Sequence, residues 1–128
     1  MKYLLDTNAI IALLKGNQPF LEKLRAHQPS DFGMPSIVVH ELFYGAYRSE
    51  RITENLARVE GLRFEVLAFD HEDARHAGEL RAALAKVGTP IGPYDVLIAG
   101  QAKARGLTLI TKNIREFERA NDLLIESW

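Results

Sequence analysis

The sequence contains no cysteine, which removes disulfides, thiolate nucleophiles and cysteine-ligated zinc from the chemistry open to it. It also lacks an excess of either charge: 16 basic side chains face 17 acidic ones, for a formal charge of −1. A chain so balanced has no global attraction for a polyanion, so any contact with nucleic acid must come from a local basic patch. No apolar run approaches the roughly 20 residues of a membrane span. The apolar stretch at the start is interrupted by Asp6 and has no small-residue cleavage site, unlike a secretory signal. Internal repeats, low-complexity tracts and linkers are missing too. What remains is one domain over residues 1–128, long enough for a single core and too short for two. It is expected to be soluble and cytoplasmic.

The pattern of apolar residues supplies the elements. Lys2 to Leu5 reads as a short buried strand ending at Asp6. Helical spacing follows over Asn8 to Lys15, stopping at Gly16-Asn17. Pro19 suits the first turn of a second helix. Phe32 to Met34 is a brief strand. Pro35 to Ser49 is expected to be helical with Ser36 as N-cap, although Ile37, Val38 and Val39 favour a strand locally. A helix over Ile52 to Gly61, a strand over Phe64 to Phe69 and an amphipathic helix over His71 to Val87 come next. Thr89 to Pro93 reads as a rigid loop. Tyr94 to Arg105 is a helix capped by Gly106, Leu107 to Ile110 a strand, and Leu123 to Glu126 a last strand. Strands alternating with helices predict an α/β domain whose parallel sheet is covered on both faces.

Three acids stand out against this frame. Asp6 ends the first strand, and ligands of open parallel sheets bind beyond the carboxyl ends of the strands; an N-cap would use the same residue type. Glu41 lies among Val38, Val39, Leu42 and Phe43, which fits a solvent-facing glutamate poorly. Gly45, one turn on, would let something approach beside it. Asp95 opens a helix whose next residues are strongly apolar, a place where an acid also suits the helix dipole. Each acid alone has a structural explanation. Together they suggest carboxylates converging at one end of the sheet. Two such charges about 4 Å apart repel by roughly 4 kcal/mol at an effective dielectric of 20, so a cluster of them must be protonated or hold a cation. Oxygen-only ligands favour Mg2+ or Mn2+, ions that activate water and neutralise a transferring phosphoryl group. The reaction class that follows is metal-assisted phosphodiester hydrolysis.

The segments LLDTN, SIVVHELFYGA and IGPYDVLIAGQAKARGLTLITKNIREFERANDL, in that order, resemble a PIN domain and, more narrowly, the VapC toxins of bacterial toxin–antitoxin pairs. The resemblance implies a three-layer α/β/α fold with a central parallel sheet. It also implies endoribonuclease activity dependent on Mg2+, with Mn2+ able to substitute, on structured RNA such as tRNA or ribosomal RNA loops. A homodimer and an inhibitory antitoxin partner are implied as well, with operator DNA bound only through the antitoxin. Carried over, Asp6, Glu41 and Asp95 match the acidic metal-binding positions, and Thr7 and Asn8 the polar pair after the first acid, where they can orient it. The chain departs from the family where many members carry a further aspartate. Here it has Thr111-Lys112-Asn113 followed by Glu116, so either Asn113 binds through its amide oxygen or Glu116 reaches the site.

Other residues carry less. His40, His71 and His76 miss the spacing of a zinc set. Phe43, Tyr44 and Tyr47 suit a core or an interface. Lys112, Arg115 and Arg119 form a basic run that could touch RNA or simply be a solvated turn. Two rival readings are a catalytically silent PIN-like binding module and a phosphoacceptor signalling domain. The latter needs adjacent acids after its first strand, where this chain has Thr7-Asn8, and leaves Glu41 and Asp95 without a role.

Overall fold

Leu4 and Leu5 of the first strand are wholly buried, and the rest of the sheet is laid out around them. In the computed structural model, which describes residues 1–128, β1 (Tyr3–Leu5) pairs with β2 (Phe32–Pro35) on one side and β4 (Thr108–Ile110) on the other. β3 (Glu65–Leu67) and β5 (Ile125–Glu126) form the edges, giving the order β3-β2-β1-β4-β5 with every pair parallel. The inner strands are short apolar runs, as strands covered on both faces must be. The order reverses at β1, and the carboxyl end of the strand at such a reversal is where a crevice opens.

Seven helices connect and cover the strands: α1 (Thr7–Leu14), α2 (Gln18–Arg25), α3 (Ser36–Arg48), α4 (Ile52–Glu60), α5 (His71–Lys86), α6 (Pro93–Arg105) and α7 (Ile114–Phe117). Most expected elements are present with ends shifted by a residue or two. Ser36 does not cap α3. Pro35 holds the cap position without a side-chain bond, and Ser36 is the first helical residue. The β-branched run enters the helix because Val38 packs fully buried in the core, and tertiary burial outweighs local preference. Pro93 belongs to α6 rather than to the loop, and proline is at home in a first turn. The single turn α7 has no counterpart in the sequence reading. At four residues it is too short to show a period.

α5 and α6 touch at backbone distance. A side-chain carbon on Gly100 would lie 2.5 Å from Ala77 Cα and Cβ, so only glycine permits this crossing. A polar staple reinforces it. Asp73, 1% exposed, accepts from Arg105 Nε at 3.2 Å and Nη2 at 2.9 Å and from Gln101 Nε2 at 3.0 Å. It also accepts from the backbone of Asp70 in a reciprocal capping box. Burial alone would raise the Asp73 carboxyl, but the Arg105, Asp70 and Gln101 bonds outweigh it and hold the group below its usual value. Around the first two strands, the rings of Tyr3, His27, Phe32 and Trp128 pack together, with His27 and Trp128 stacked at 5.2 Å.

Asp73→Ala removes the acceptor shared by Arg105 and Gln101, and because the Arg105 side chain can still reach solvent the unfolding free energy at neutral pH should fall by about 1–2 kcal/mol. Because the folded carboxyl titrates below its ordinary 3.8, this stabilisation is present above that value and is lost as pH falls through the folded one. Denaturant melts of wild type and variant should therefore converge under acid conditions. A constant gap across pH would show that the contribution of Asp73 is not ionic.

Candidate active site

Asp6 sits where β1 ends and α1 begins. Its amide donates to Ile110 O at the end of β4, and its Oδ1 accepts from the Ala9 amide at 2.8 Å. It is therefore a true N-cap, as one of its two sequence readings held. It is also 3% exposed and faces other acids, which an N-cap does not require. Burial raises its carboxyl above the ordinary value. The Thr111 hydroxyl and the Ala9 amide pull it back, and the Glu41 charge pushes it up again.

Glu41 reaches the same place from the second turn of α3. The Thr7 hydroxyl donates to its Oε1 at 2.9 Å, so Thr7, directly after Asp6 on the chain, positions the acid of another helix. Asp95, in the first turn of α6, completes the expected trio. Its carboxyl is pushed up to about 6, chiefly by burial, then by the charges of Glu116, Glu41 and Asp6, and by a hydrogen bond with Glu116 that favours the protonated form. All three acids thus feel one another, brought together by β1, α3 and α6.

The fourth acid is Glu116. Its Oε1 accepts from the Gly92 amide at 2.6 Å and its Oε2 from Asn113 Nδ2 at 2.6 Å. Of the two candidates for the fourth polar position, Glu116 is the one facing Asp95, and Asn113 acts on it as an orienting donor. Asn8 is exposed, contributing through its backbone amide to Asp6. Two contributors had no sequence prediction. Thr111 is 1% exposed and ends β4 beside Asp6; the positional logic that picks out Asp6 would have found it. At Gly92, a side-chain carbon would lie 3.0 Å from Asp95 Oδ2 and 3.5 Å from Glu116 Oε1, so a larger residue would press on the Asp95 carboxylate.

The basic run lies on the surface, and two of its three members also meet the protein. Lys112 donates to the carbonyl of Trp128, and Arg119 Nη1 donates to Pro90 O at 3.2 Å. Both have protein partners, while Arg115 is exposed. Gly45 faces open space, with nothing in the chain approaching it. His76 Nδ1 lies 2.9 Å from Glu72 O on its own helix, a local contact.

The donor set is all carboxylate and hydroxyl oxygen, which fits a hard divalent cation rather than zinc. No three His, Cys, Asp or Glu side chains stand close enough to grip one ion directly. The arrangement therefore suits Mg2+, commonly held by one or two carboxylates with its remaining positions hydrated, better than an ion needing a full protein cage.

The raised Asp95 carboxyl has a consequence for the metal-free protein. A group whose folded value lies near 6 against an ordinary 3.8 favours folding below 3.8 and loses that contribution as pH rises through 6. In chelator at neutral pH, Asp95→Asn should therefore be the more stable protein, by on the order of 1–2 kcal/mol after solvent screening. The gap should close as pH approaches 4. Thermal melts over this range check it, and a variant no more stable than wild type at neutral pH would contradict the crowding of the acids.

Comparison with known proteins places this geometry in a family. The PIN domain pattern matches residues 3–123. The protein named tRNA(fMet)-specific endonuclease VapC from Salmonella typhimurium is 45% identical, over 100% of this chain and 98% of its own length. The structure of DNA-bound VapBC from Salmonella typhimurium superposes with a TM-score of 0.95 at 45% identity, covering 100% of this chain and 98% of that one. That of VapBC2 from Rickettsia felis, bound to a DNA fragment from the promoter, gives 0.93 at 32% identity, over 100% and 99%. The central parallel sheet, the order of its elements and full-length relatives of this identity together make the chain a member of the PIN-domain family, within its VapC group.

Proposed function

We propose that this protein is the toxin of a toxin–antitoxin pair and acts as an endoribonuclease dependent on Mg2+, with Mn2+ able to substitute. The observation that carries the reading is the convergence of Asp6, Glu41, Asp95 and Glu116 at the strand-order reversal, in a chain of the VapC group. Asp6, Glu41 and Asp95 are the residues we assign to the cation, which one or two of them would hold directly and the rest through its hydration shell, with Glu116 beside them. When bound, the ion lowers the pKa of a water and neutralises charge on the phosphoryl group being transferred.

The chain's own contributions are positional and electrostatic. Thr7 holds Glu41, and Gly92 and Asn113 hold Glu116, each by donating to one carboxylate oxygen. Such bonds fix rotamers before substrate arrives, so little reorganisation accompanies the reaction. Asp95, held up near 6 without a cation, would give up its proton when the cation binds, which makes metal binding pH-dependent. Four acids also repel a phosphate backbone, so RNA approach depends on the cation and on nearby basic or uncharged surface.

The Salmonella relative is named for a tRNA substrate. We therefore take structured RNA, with tRNA loops first and ribosomal RNA loops second, as the substrate class. The DNA-bound VapBC structures of relatives support an antitoxin partner for this chain, with operator DNA reached through that partner. Tyr44 and Tyr47, 58% and 63% exposed on α3, offer apolar surface to an antitoxin or to a second copy in a homodimer. No helix is long and apolar enough to cross a membrane, and we assign the protein to the cytoplasm, where its RNA is.

Asp6→Asn, Glu41→Gln and Asp95→Asn should each reduce RNA cleavage by at least about a hundredfold while the protein stays folded. Saturating Mn2+ should stabilise wild type against heat by about 2.7 kcal/mol at a hundred times the dissociation constant, and Asp95→Asn by less. Cleavage that survives these changes removes the residue concerned from the site. A folded wild type that cuts no RNA and shows no metal shift is a silent binding module instead.

In cells, expression of wild type should arrest growth, the Asp95→Asn variant should not, and co-expression of the proposed antitoxin partner should restore it. Normal growth at confirmed levels of folded wild type would count against a toxin.

A further inference from the structure

Two of the helices that deliver acids to the site place an aromatic ring immediately before the acid. On α3 it is His40, before Glu41; on α6 it is Tyr94, before Asp95. Neighbours on a helix point about 100° apart, so neither ring can enter the acid cluster. The two rings instead meet each other, with centroids 5.2 Å apart and planes inclined by 61°. This edge-to-face pair bridges α3 and α6 at the rim of the site. It remains open: His40 is exposed, and Tyr94 is 47% exposed. Their exposed ring surface is thus available to a further aromatic group.

We propose that His40 and Tyr94 form an aromatic shelf that stacks one unpaired base beside the phosphate being cut, so that the site selects looped-out RNA over duplex. This rests on the ribonuclease reading above and names its substrate class. A phosphate can reach acids at the end of a sheet only if the backbone is drawn away from the helical stack, which leaves a flanking base without its neighbour. An exposed ring at the rim replaces that lost stacking. Every base has a π-face, so the gain is tolerant of sequence. A base paired within A-form duplex cannot take it without unpairing. The shelf also supplies attraction that does not depend on charge, at a site whose own side chains repel the RNA backbone.

The test uses the full chain and a short RNA stem–loop carrying 2-aminopurine at one unpaired position, a base whose emission falls when it stacks. Rapid mixing reads the quench before the cut, and cleavage is followed on the same RNA. Wild type and Tyr94→Phe should quench alike. Tyr94→Ala and His40→Ala should quench less and lose about tenfold in kcat/KM, mostly through KM. An RNA abasic at the stacked position should cost wild type a similar factor, and Tyr94→Ala should add nothing further to it. Wild-type quench and kinetics in both alanine variants overturn the shelf while leaving the ribonuclease reading intact. Losses that multiply with the abasic change overturn it equally, because they mark a purely structural contact. A wild type that cuts no RNA sinks the ribonuclease reading. In that case a Tyr94-dependent quench still supports the shelf as a binding feature, and its absence removes both.

Discussion

Asp6 is an ionisable group buried at the end of the central strand, and much of the structure can be read as a response to that placement. A carboxylate there must be surrounded by donors or neutralised. The Ala9 and Asn8 amides and the Thr111 hydroxyl supply part of what it needs. Glu41, Asp95 and Glu116 work in the opposite sense and raise the cost of its charge or of one another's. Acids gathered in this way are hard to explain by stability. They fit the hard divalent cation proposed above, and they gather at β1, where the sheet order reverses.

Support for this arrangement comes from elements with no chemistry of their own. Asp95 rides on α6, and α6 is pinned to α5 by the Gly100–Ala77 contact and by the Asp73–Gln101–Arg105 staple. The staple lies toward the carboxyl end of α6, away from the first turn that carries Asp95. It holds the helix without occupying the site. Gln101 bonds Asp73 and the Ala68 carbonyl, leaving its Oε1 buried without a partner.

The parallel α/β frame was legible because its strands are uninterrupted apolar runs and its long helices repeat their buried positions. The three principal acids were legible by position, at a strand end and inside apolar surroundings, and the family resemblance joined them. What escaped depends on partners distant in sequence. Asp73 reads as one more acid in a charged first turn until Arg105, thirty-two residues on, is seen against it. Lys112 reads as part of a basic run, and its bond to the Trp128 carbonyl becomes visible only in the fold. The choice between Asn113 and Glu116 was undecidable locally, because it turns on the Gly92 amide, twenty-four residues before Glu116. Ser36 failed as a cap for a smaller reason: the helix begins one residue earlier than its preferred cap type suggests.

The missing side chain at Gly100 bears on how the site can adapt. With α6 locked against α5 at backbone contact, the Asp95 end of the acid cluster has little freedom to move outward, and Asp6 is fixed at both its amide and its carboxyl. Adjustment of the acid cluster to the proposed cation would therefore fall to Glu41 and Glu116, whose longer side chains reach in from α3 and α7 on hydroxyl and amide tethers. The cluster is stiff on its aspartate side and compliant on its glutamate side, so tolerance for a larger proposed ion would reside in those two rotamers.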